Sequence, residues 1–347
     1  MEEKTQILVI YTGGTIGMML DKESGALKPF DFEHLYNSIP VLANFNCCID
    51  VHTFDPVIDS SNVNPEFWVT LAGVIEENYE KYDGFVVLHG TDTMSYSASA
   101  MSFMLENLNK PVVFTGSQLP MGMIRTDGRE NFINAIEIAA AKTDNTPIVP
   151  EVSIYFENKL FRGNRTNKFN AENFNAFVSG NYPALAEVGV HIRYNTSHIL
   201  KPNFKRLKVH KKLEPNLAIL KLFPGITENI VRSTLETAGL KALILETYGS
   251  GNAPTATWFI QALKEAIKEK DIIIYNVTQC KGGSVEIGKY ETSISLGQIG
   301  VIGGFDITTE SAITKLMYLL GGEYSKKDVE KLLQTPLRGE MSLTDNS

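Results

Sequence analysis

The feature that most constrains the fold is the regular alternation of short apolar, β-rich segments with longer amphipathic segments. In the first half of the chain, the strand candidates are residues 6–11, 84–89, 111–115 and 152–156. The helix candidates between them are residues 64–79, 95–107 and 131–142. Strands that alternate with helices are typical of parallel sheets with crossover helices on both faces. The pattern therefore predicts an α/β fold with a doubly wound N-terminal sheet.

A second α/β unit follows a polar, lysine-rich segment at residues 191–215. Its strand candidates are residues 217–223, 241–247 and 271–277, and its helix candidates are residues 228–238, 255–270 and 308–320. A chain of 347 residues also exceeds the usual size of one hydrophobic core. We predict a larger N-terminal domain over residues 1–195, a solvated linker over 196–215 and a smaller, Rossmann-like C-terminal domain over 216–347.

Charge and composition exclude several classes of partner. The net charge of −8 provides no basic surface for nucleic acid or anionic lipid. No segment approaches the roughly 20 apolar residues that span a bilayer, and Met1 to Lys4 lead into the first strand without a signal peptide. Three cysteines form neither a disulfide framework nor a zinc motif. We expect a cytoplasmic protein with no nucleic-acid or membrane partner.

Two predicted strands end in turns that contain threonine and glycine. Residues 6–11 are followed by Thr12-Gly13-Gly14-Thr15-Ile16-Gly17, and residues 84–89 are followed by Gly90-Thr91-Asp92-Thr93. In open α/β sheets, ligands bind outside the carboxyl ends of the strands. The two turns therefore predict one site that contains several hydroxyl groups.

In the first turn, Thr15 fits the role of an activated nucleophile, because two preceding glycines allow a close approach to a ligand. A helical turn that begins near Ile16 would supply free N–H groups for an oxyanion. The alternative is a phosphate-binding turn, but the glycine spacing fits neither GxGxxG nor GxxxxGK[ST]. In the second turn, Asp92 either binds a substrate ammonium, sets a proton relay that still needs a lysine, or caps the turn.

These segments carry a family resemblance. Val9-Ile10-Tyr11-Thr12-Gly13-Gly14-Thr15-Ile16-Gly17 and Gly84-Phe85-Val86-Val87-Leu88-His89-Gly90-Thr91-Asp92-Thr93-Met94 resemble the two signature segments of bacterial-type L-asparaginases. The resemblance extends over nearly the whole chain, through the segments at residues 59–62, 111–118, 127–131 and 248–254. Without a signal peptide, the chain is most similar to the cytoplasmic, type I branch.

The resemblance implies hydrolysis of the L-asparagine side-chain amide to aspartate and ammonia, without a metal or organic cofactor. By position, Thr15 matches the nucleophile that forms an acyl-enzyme ester. Thr91 matches the second threonine, which positions the attacking water. Asp92 matches the group that binds the substrate α-amino group and pairs with a lysine, and Lys168 matches that lysine.

The resemblance also assigns the substrate α-carboxylate to Ser60, with Asp59 beside it. On residue type alone, Lys168 would be a solvated surface charge and Ser60 an ordinary turn serine. Because family sites are completed by a second subunit, the resemblance further implies a homodimer or a homotetramer.

The sequence departs from the family pattern at the tyrosine that many members place after the nucleophile, because Ala26 stands at the aligned position. Tyr290 is our candidate substitute, although it would otherwise be a half-buried aromatic. Its neighbour Glu291 and, in another segment, Asn252 are candidate contacts for the α-amino group.

Some type I members bind asparagine as an effector near a Thr-Gln-Cys segment, which is present here as Thr278-Gln279-Cys280. However, Glu246 stands where a basic effector contact would align, and Asn167 replaces a threonine. Allosteric control therefore stays open. The alternatives for the whole chain are an asparaginase with substantial glutaminase activity, a non-catalytic amino-acid sensor, and the asparaginase-like subunit of archaeal tRNA-dependent amidotransferases.

Overall fold

The computed structural model describes residues 4–20, 27–29, 39–286 and 291–343. The chain forms two compact units, Met1–Lys211 and Lys212–Ser347. The division falls inside the segment that we predicted as a linker. Part of that segment is ordered against the first unit, because Lys208 and Val209 pair with Glu106 and Leu105 in an antiparallel bridge.

Sixteen strands lie in the described part of the first unit. They are β1 (Thr5–Tyr11), β2 (Met18–Leu20), β3 (Leu27–Pro29), β4 (Cys47–Thr53), β5 (Gly84–Leu88), β6 (Leu105–Glu106), β7 (Val112–Thr115), β8 (Lys142–Thr143), β9 (Thr146–Pro147), β10 (Val152–Phe156), β11 (Lys159–Arg162), β12 (Asn167–Lys168), β13 (Phe177–Val178), β14 (Ala186–Val188), β15 (Ile192–Tyr194) and β16 (Lys208–Val209). The α-helices of the same ranges are α1 (Pro65–Asn78), α2 (Met94–Met104) and α3 (Gly128–Ala140).

The main sheet has the strand order β15-β14-β11-β10-β7-β5-β1-β4 in the described residues. The five strands from β10 to β4 are parallel, whereas β11, β14 and β15 extend the sheet in antiparallel fashion. The predicted α/β class is confirmed, but the antiparallel extension was not foreseen. The edge strand Ile192–Tyr194 was not predicted, because it lies in a segment that the sequence showed only as polar.

The register of the central strands aligns their carboxyl ends. Tyr11 of β1 pairs with Leu88 of β5, and Leu88 pairs with Thr115 of β7. The three turns that follow these strands therefore start side by side. Strand β5 is buried along its whole length, as expected for a central strand covered on both faces.

The second unit contains a parallel four-stranded sheet, ordered β17 (Leu217–Lys221), β18 (Ala242–Thr247), β19 (Ile273–Thr278) and β20 (Ile302–Gly303). Its described helices are α4 (Glu228–Leu235), α5 (Thr257–Glu269), α6 (Glu291–Ile299), α7 (Thr309–Gly321) and α8 (Lys326–Leu333). The sheet agrees with the predicted smaller α/β domain. Among the described helices of both units, none is long and apolar enough to cross a membrane.

Candidate active site

The turn after β1 packs directly against the turn after β5. A Cβ atom on Gly14 would lie 2.5 Å from the amide nitrogen of Gly90, and a Cβ on Gly90 would lie 2.5 Å from the Ser60 hydroxyl oxygen. Only glycine, which has no Cβ atom, fits at these two positions. The structure therefore brings together three segments that we singled out in the sequence, around residues 14, 60 and 90.

Thr15 is the first residue of a 3₁₀ turn, Thr15–Gly17, that directly follows the two glycines. Gly13 and Gly14 have φ values of 132° and 87°, in the region that glycine tolerates best. Thr12 anchors the start of the turn, because both its backbone N–H and its hydroxyl donate to the Leu88 carbonyl, at 3.0 and 2.9 Å. The half-buried Thr15 is thus held on a turn fixed to the end of β5.

Tyr11 supports the same turn from below. Its hydroxyl donates to the Gly17 carbonyl at 3.1 Å, and burial raises the pKa of this phenol to about 12. Gly17 packs on the Tyr11 ring so closely that a side chain there would overlap the ring. Sequence reasoning treated Tyr11 only as the last residue of a strand.

Lys168 links the two functional groups of the second turn. Its ammonium donates to the Thr91 hydroxyl at 2.8 Å and to an Asp92 carboxylate oxygen at 2.6 Å. The Lys168 side chain is only 18% exposed, whereas that of Asp92 is 65% exposed. An ammonium with these two partners is not a free surface charge. The arrangement supplies the lysine that a Thr91–Asp92 proton relay requires.

Ser60 and Asp59 border the second turn. Ser60 is buried, and its carbonyl accepts a hydrogen bond from the Thr93 hydroxyl at 2.7 Å. The exposed Asp59 carboxylate accepts from the Ser61 N–H and the Ser61 hydroxyl, both at 2.8 Å. These two bonds lower the pKa of Asp59, so the carboxylate stays charged.

Gln118 is a site residue that we did not select from the sequence. Its side-chain oxygen lies 3.5 Å from the Thr91 hydroxyl, and its amide nitrogen donates to the carbonyls of Ala171 and Asn173, at 3.2 and 3.0 Å. Asp127 fixes the loop by accepting from the Gln118 N–H at 2.9 Å. Both residues lie in segments quoted for the family resemblance, which was the available signal.

His89 is a second residue that we did not select from the sequence. Its buried ring contacts the second turn at Gly90. One ring nitrogen lies 2.7 Å from the Gly90 carbonyl and the other 2.9 Å from the Ser97 hydroxyl, which in turn accepts from the Trp68 indole at 2.9 Å. Burial lowers the pKa of His89 to about 4. At neutral pH the ring is therefore uncharged, with the proton on the nitrogen that faces Gly90.

The other predicted residues belong to the second unit. Tyr290 lies outside the described residues, as does the side chain of Glu291. Asn252 forms an isolated β-bridge with Tyr248 in the second unit. Near the Thr-Gln-Cys segment, the Glu246 carboxylate accepts from the Thr309 hydroxyl at 2.7 Å.

Comparison with known proteins agrees with this geometry. Residues 6–200 match the family described as "Asparaginase, N-terminal", and residues 216–333 match the "Glutaminase/Asparaginase C-terminal domain". L-asparaginase 1 of Escherichia coli K12 is 43% identical over 347 residues, covering 99% of this chain and 100% of the relative. The 60 kDa lysophospholipase of Mus musculus is 40% identical, covering 99% of this chain and 64% of that longer protein.

Among solved structures, L-asparaginase I from Vibrio cholerae superposes with a TM-score of 0.89 at 40% identity, covering 98% of this chain and all of that chain. The two units and their matches define an amidohydrolase with a two-domain α/β architecture. The chain belongs to the asparaginase family.

Proposed function

We propose that this protein hydrolyses the side-chain amide of L-asparagine to give L-aspartate and ammonia. The observation that carries the proposal is the position of the Lys168 ammonium, 2.8 Å from the Thr91 hydroxyl and 2.6 Å from the Asp92 carboxylate. Thr91 and Asp92 lie on the turn that packs, at Gly90, against Gly14 of the Thr15 turn. The close relatives named as L-asparaginases support the choice of substrate.

In the proposed first step, the Thr15 hydroxyl attacks the amide carbon. Free N–H groups at the start of the 3₁₀ turn stabilise the negative charge on the tetrahedral oxygen. The intermediate collapses to an ester on Thr15, and ammonia leaves with the proton taken from the hydroxyl. Each oxyanion donor contributes about 3 to 4 kcal/mol to the transition state.

In the proposed second step, water attacks the ester. Lys168 polarises the Thr91 hydroxyl, and Asp92 keeps the ammonium in place. The hydroxyl then orients the water and transfers its proton, so that aspartate is released and Thr15 is restored. General acid–base assistance of this kind typically contributes about 10²- to 10⁴-fold in rate.

Substrate recognition uses charges at the edge of the same site. The exposed carboxylate of Asp92 binds the α-ammonium group, and the buried Ser60 hydroxyl binds the α-carboxylate, with Asp59 beside it. Tyr290 or a water remains our candidate for the group that relays the Thr15 proton to the leaving ammonia. A pocket that rejects glutamine must exclude one methylene, which is worth only about 1 to 3 kcal/mol, so glutaminase activity is the nearest alternative.

We further propose a cytoplasmic homodimer or homotetramer, as the family resemblance implies. The domain division at residues 1–195, 196–215 and 216–347 is part of the same proposal. Two-fold symmetric interfaces would suit an assembly in which a second subunit completes each site.

The test is ammonia release by the purified protein from L-asparagine and L-glutamine, with the Thr15→Ala and Thr91→Ala variants in parallel. We expect asparagine turnover and a loss of kcat by orders of magnitude in both variants, with unchanged far-UV circular dichroism. Retained turnover in both variants would contradict the assignment. Stabilisation by asparagine without turnover would indicate an amino-acid sensor.

A further inference from the structure

The segment that leads to Lys168 is buried although it is polar. Residues 162–167 read Arg-Gly-Asn-Arg-Thr-Asn, and all six are buried, with Arg162 only 3% and Arg165 only 2% exposed. Arginines are almost never buried to this degree unless they are paired. The burial of two guanidinium groups immediately before a site lysine requires a specific set of partners.

Glu151 is the carboxylate partner of Arg162. The Arg162 Nε donates to Glu151 Oε2 at 2.6 Å, and both side chains are 4% exposed. The same guanidinium donates to the His198 carbonyl at 2.7 Å, and Glu151 also accepts from the Leu200 N–H at 2.7 Å. The pair therefore joins the start of β10, the end of β11 and residues 198–200.

Tyr182 completes this cluster, which we call the Arg162 anchor and define as Glu151, Arg162, Arg165 and Tyr182. The guanidinium carbon of Arg162 lies 4.4 Å from the centre of the Tyr182 ring, and that of Arg165 lies 5.0 Å from it. The Tyr182 hydroxyl donates to the His198 carbonyl at 2.9 Å. Cation–π contacts in a desolvated setting hold both guanidinium groups firmly.

The chain from the anchor to Lys168 is short and constrained. The Thr166 hydroxyl donates back to the Arg162 carbonyl at 2.7 Å and closes the 3₁₀ turn Gly163–Arg165. Gly163 packs against α2, where an added Cβ would lie 3.0 Å from the Ala98 Cβ. Strand β12 pairs with β13 over only two residues. This pairing alone constrains the direction of Lys168 only weakly.

We propose that the Glu151–Arg162 pair is a positioning device that holds the Lys168 ammonium on Thr91 and Asp92. The inference rests on the proposed function, because Lys168 must matter for turnover. Lys168 must reach the Thr91 hydroxyl at 2.8 Å and the Asp92 carboxylate at 2.6 Å at once, so a displacement of its backbone changes the geometry of both bonds. A misplacement of about 1 Å by a residue remote from the chemistry costs about 10²-fold in rate.

The experiment is a double-mutant cycle on the full-length protein, with Arg162→Lys, Lys168→Ala and the double variant. We expect Arg162→Lys to lower kcat about 10- to 100-fold with a KM change below about threefold. In the Lys168→Ala background, the same substitution should change the residual kcat by less than about twofold, because no ammonium is left to position. Activities are expressed per folded molecule.

Lys315 provides a matched control, because it forms a buried ion pair with Glu340 at 2.6 Å in the second unit, with both side chains 0% exposed. Lys315→Arg should lower the melting temperature and leave kcat unchanged. If Arg162→Lys does not fold, Glu151→Gln goes through the same cycle.

An equal loss of kcat from Arg162→Lys in both backgrounds, or no loss in the wild-type background, would overturn the positioning role. Near-wild-type activity of Lys168→Ala alone would instead contradict the proposed function, and the inference would fail with it. The two failures are therefore distinguishable.

Discussion

Gly14 and Gly90 bring the two threonine turns into direct backbone contact. The space for a Gly14 side chain is already occupied, because its Cβ would lie 2.5 Å from the Gly90 nitrogen and 2.6 Å from the Gly90 Cα. Thr15 and Thr91 each follow one of these glycines. This glycine–glycine contact thus sets the separation of the two hydroxyl groups, because a side chain on either glycine would push the turns apart.

Gly14→Ala should therefore abolish most of the activity. The substitution adds a methyl group against the Gly90 backbone and strains a residue whose φ is 87°. We expect kcat/KM for asparagine to fall at least about 10²-fold, as for other misplacements near 1 Å.

Gly225→Ala separates the effect of backbone strain from that of the clash. Gly225 has a φ of 91°, and nothing lies within 4 Å of its added Cβ. The Gly225→Ala substitution should lower the free energy of unfolding by about 1 to 2 kcal/mol and leave the activity unchanged. Equal activity of the two variants would contradict the role of the contact.

Ser60→Ala should chiefly raise KM. The buried hydroxyl is proposed to bind the α-carboxylate, a group that does not react, so its loss weakens ground and transition states alike. A hydrogen bond to a charged group contributes about 1.5 to 3 kcal/mol, which corresponds to a rise of roughly 10- to 100-fold. Initial-rate kinetics with L-asparagine measure this rise in KM. Ser233→Ala, at an exposed position of α4, is the control, and a fall in kcat at constant KM in Ser60→Ala would be inconsistent with the role.

His89 predicts a dependence of stability on pH. Its pKa in the folded protein is about 4, below the ordinary 6.5, because burial disfavours the charged ring. The unfolded chain therefore takes up the proton first as the pH falls. The contribution of His89 to the free energy of unfolding is fully present above pH 6.5. It falls by about 1.4 kcal/mol per pH unit between pH 6.5 and about 4.

Urea unfolding at several pH values measures this effect. The wild-type protein should lose more free energy of unfolding in that window than His89→Gln. Parallel pH profiles for the two proteins would show that the ring does not titrate there.

Asparagine should give a hyperbolic rate curve. Glu246, whose carboxylate accepts from Thr309, places a negative charge where a basic contact for an asparagine effector would align. A carboxylate at this position, which also forms an ion pair with Lys221 at 3.7 Å, would not replace the basic contact for the effector α-carboxylate. Initial rates over a wide range of asparagine concentration decide the matter, and a sigmoidal curve would show that an effector site persists.

The sequence was sufficient for the buried centre of each sheet. Predicted residues 152–156 coincide with strand Val152–Phe156, and predicted residues 84–89 differ from Gly84–Leu88 by one residue. Continuous apolar segments bounded by turn residues are a strong local signal. The strands Ala186–Val188 and Ile192–Tyr194 were not predicted, because they are three residues long, half exposed and held by pairing with β11.

The candidate site likewise contains residues that local sequence indicates and residues that it does not. Glycine-threonine turns at strand ends indicated Thr15 and Thr91 from local sequence. Lys168 lies 77 residues from Thr91 along the chain, and only the family resemblance connected the two. The roles of His89 and Gln118 could not be inferred from residue type. That of His89 depends on a contact with Ser97 in the following helix, and that of Gln118 on a hydrogen bond to the Ala171 carbonyl, 53 residues away along the chain.

The proposed nucleophilic role of Thr15 is tested best by identifying the covalent intermediate. In Thr91→Ala, attack by Thr15 proceeds but the water that cleaves the ester is no longer oriented, so the ester should accumulate. We would incubate this variant with L-asparagine, quench with acid and map the peptides by mass spectrometry. We expect one aspartyl group on Thr15, absent from Thr15→Ala/Thr91→Ala. An aspartyl group on another residue, or asparagine turnover by Thr15→Ala at the wild-type rate, would contradict this role.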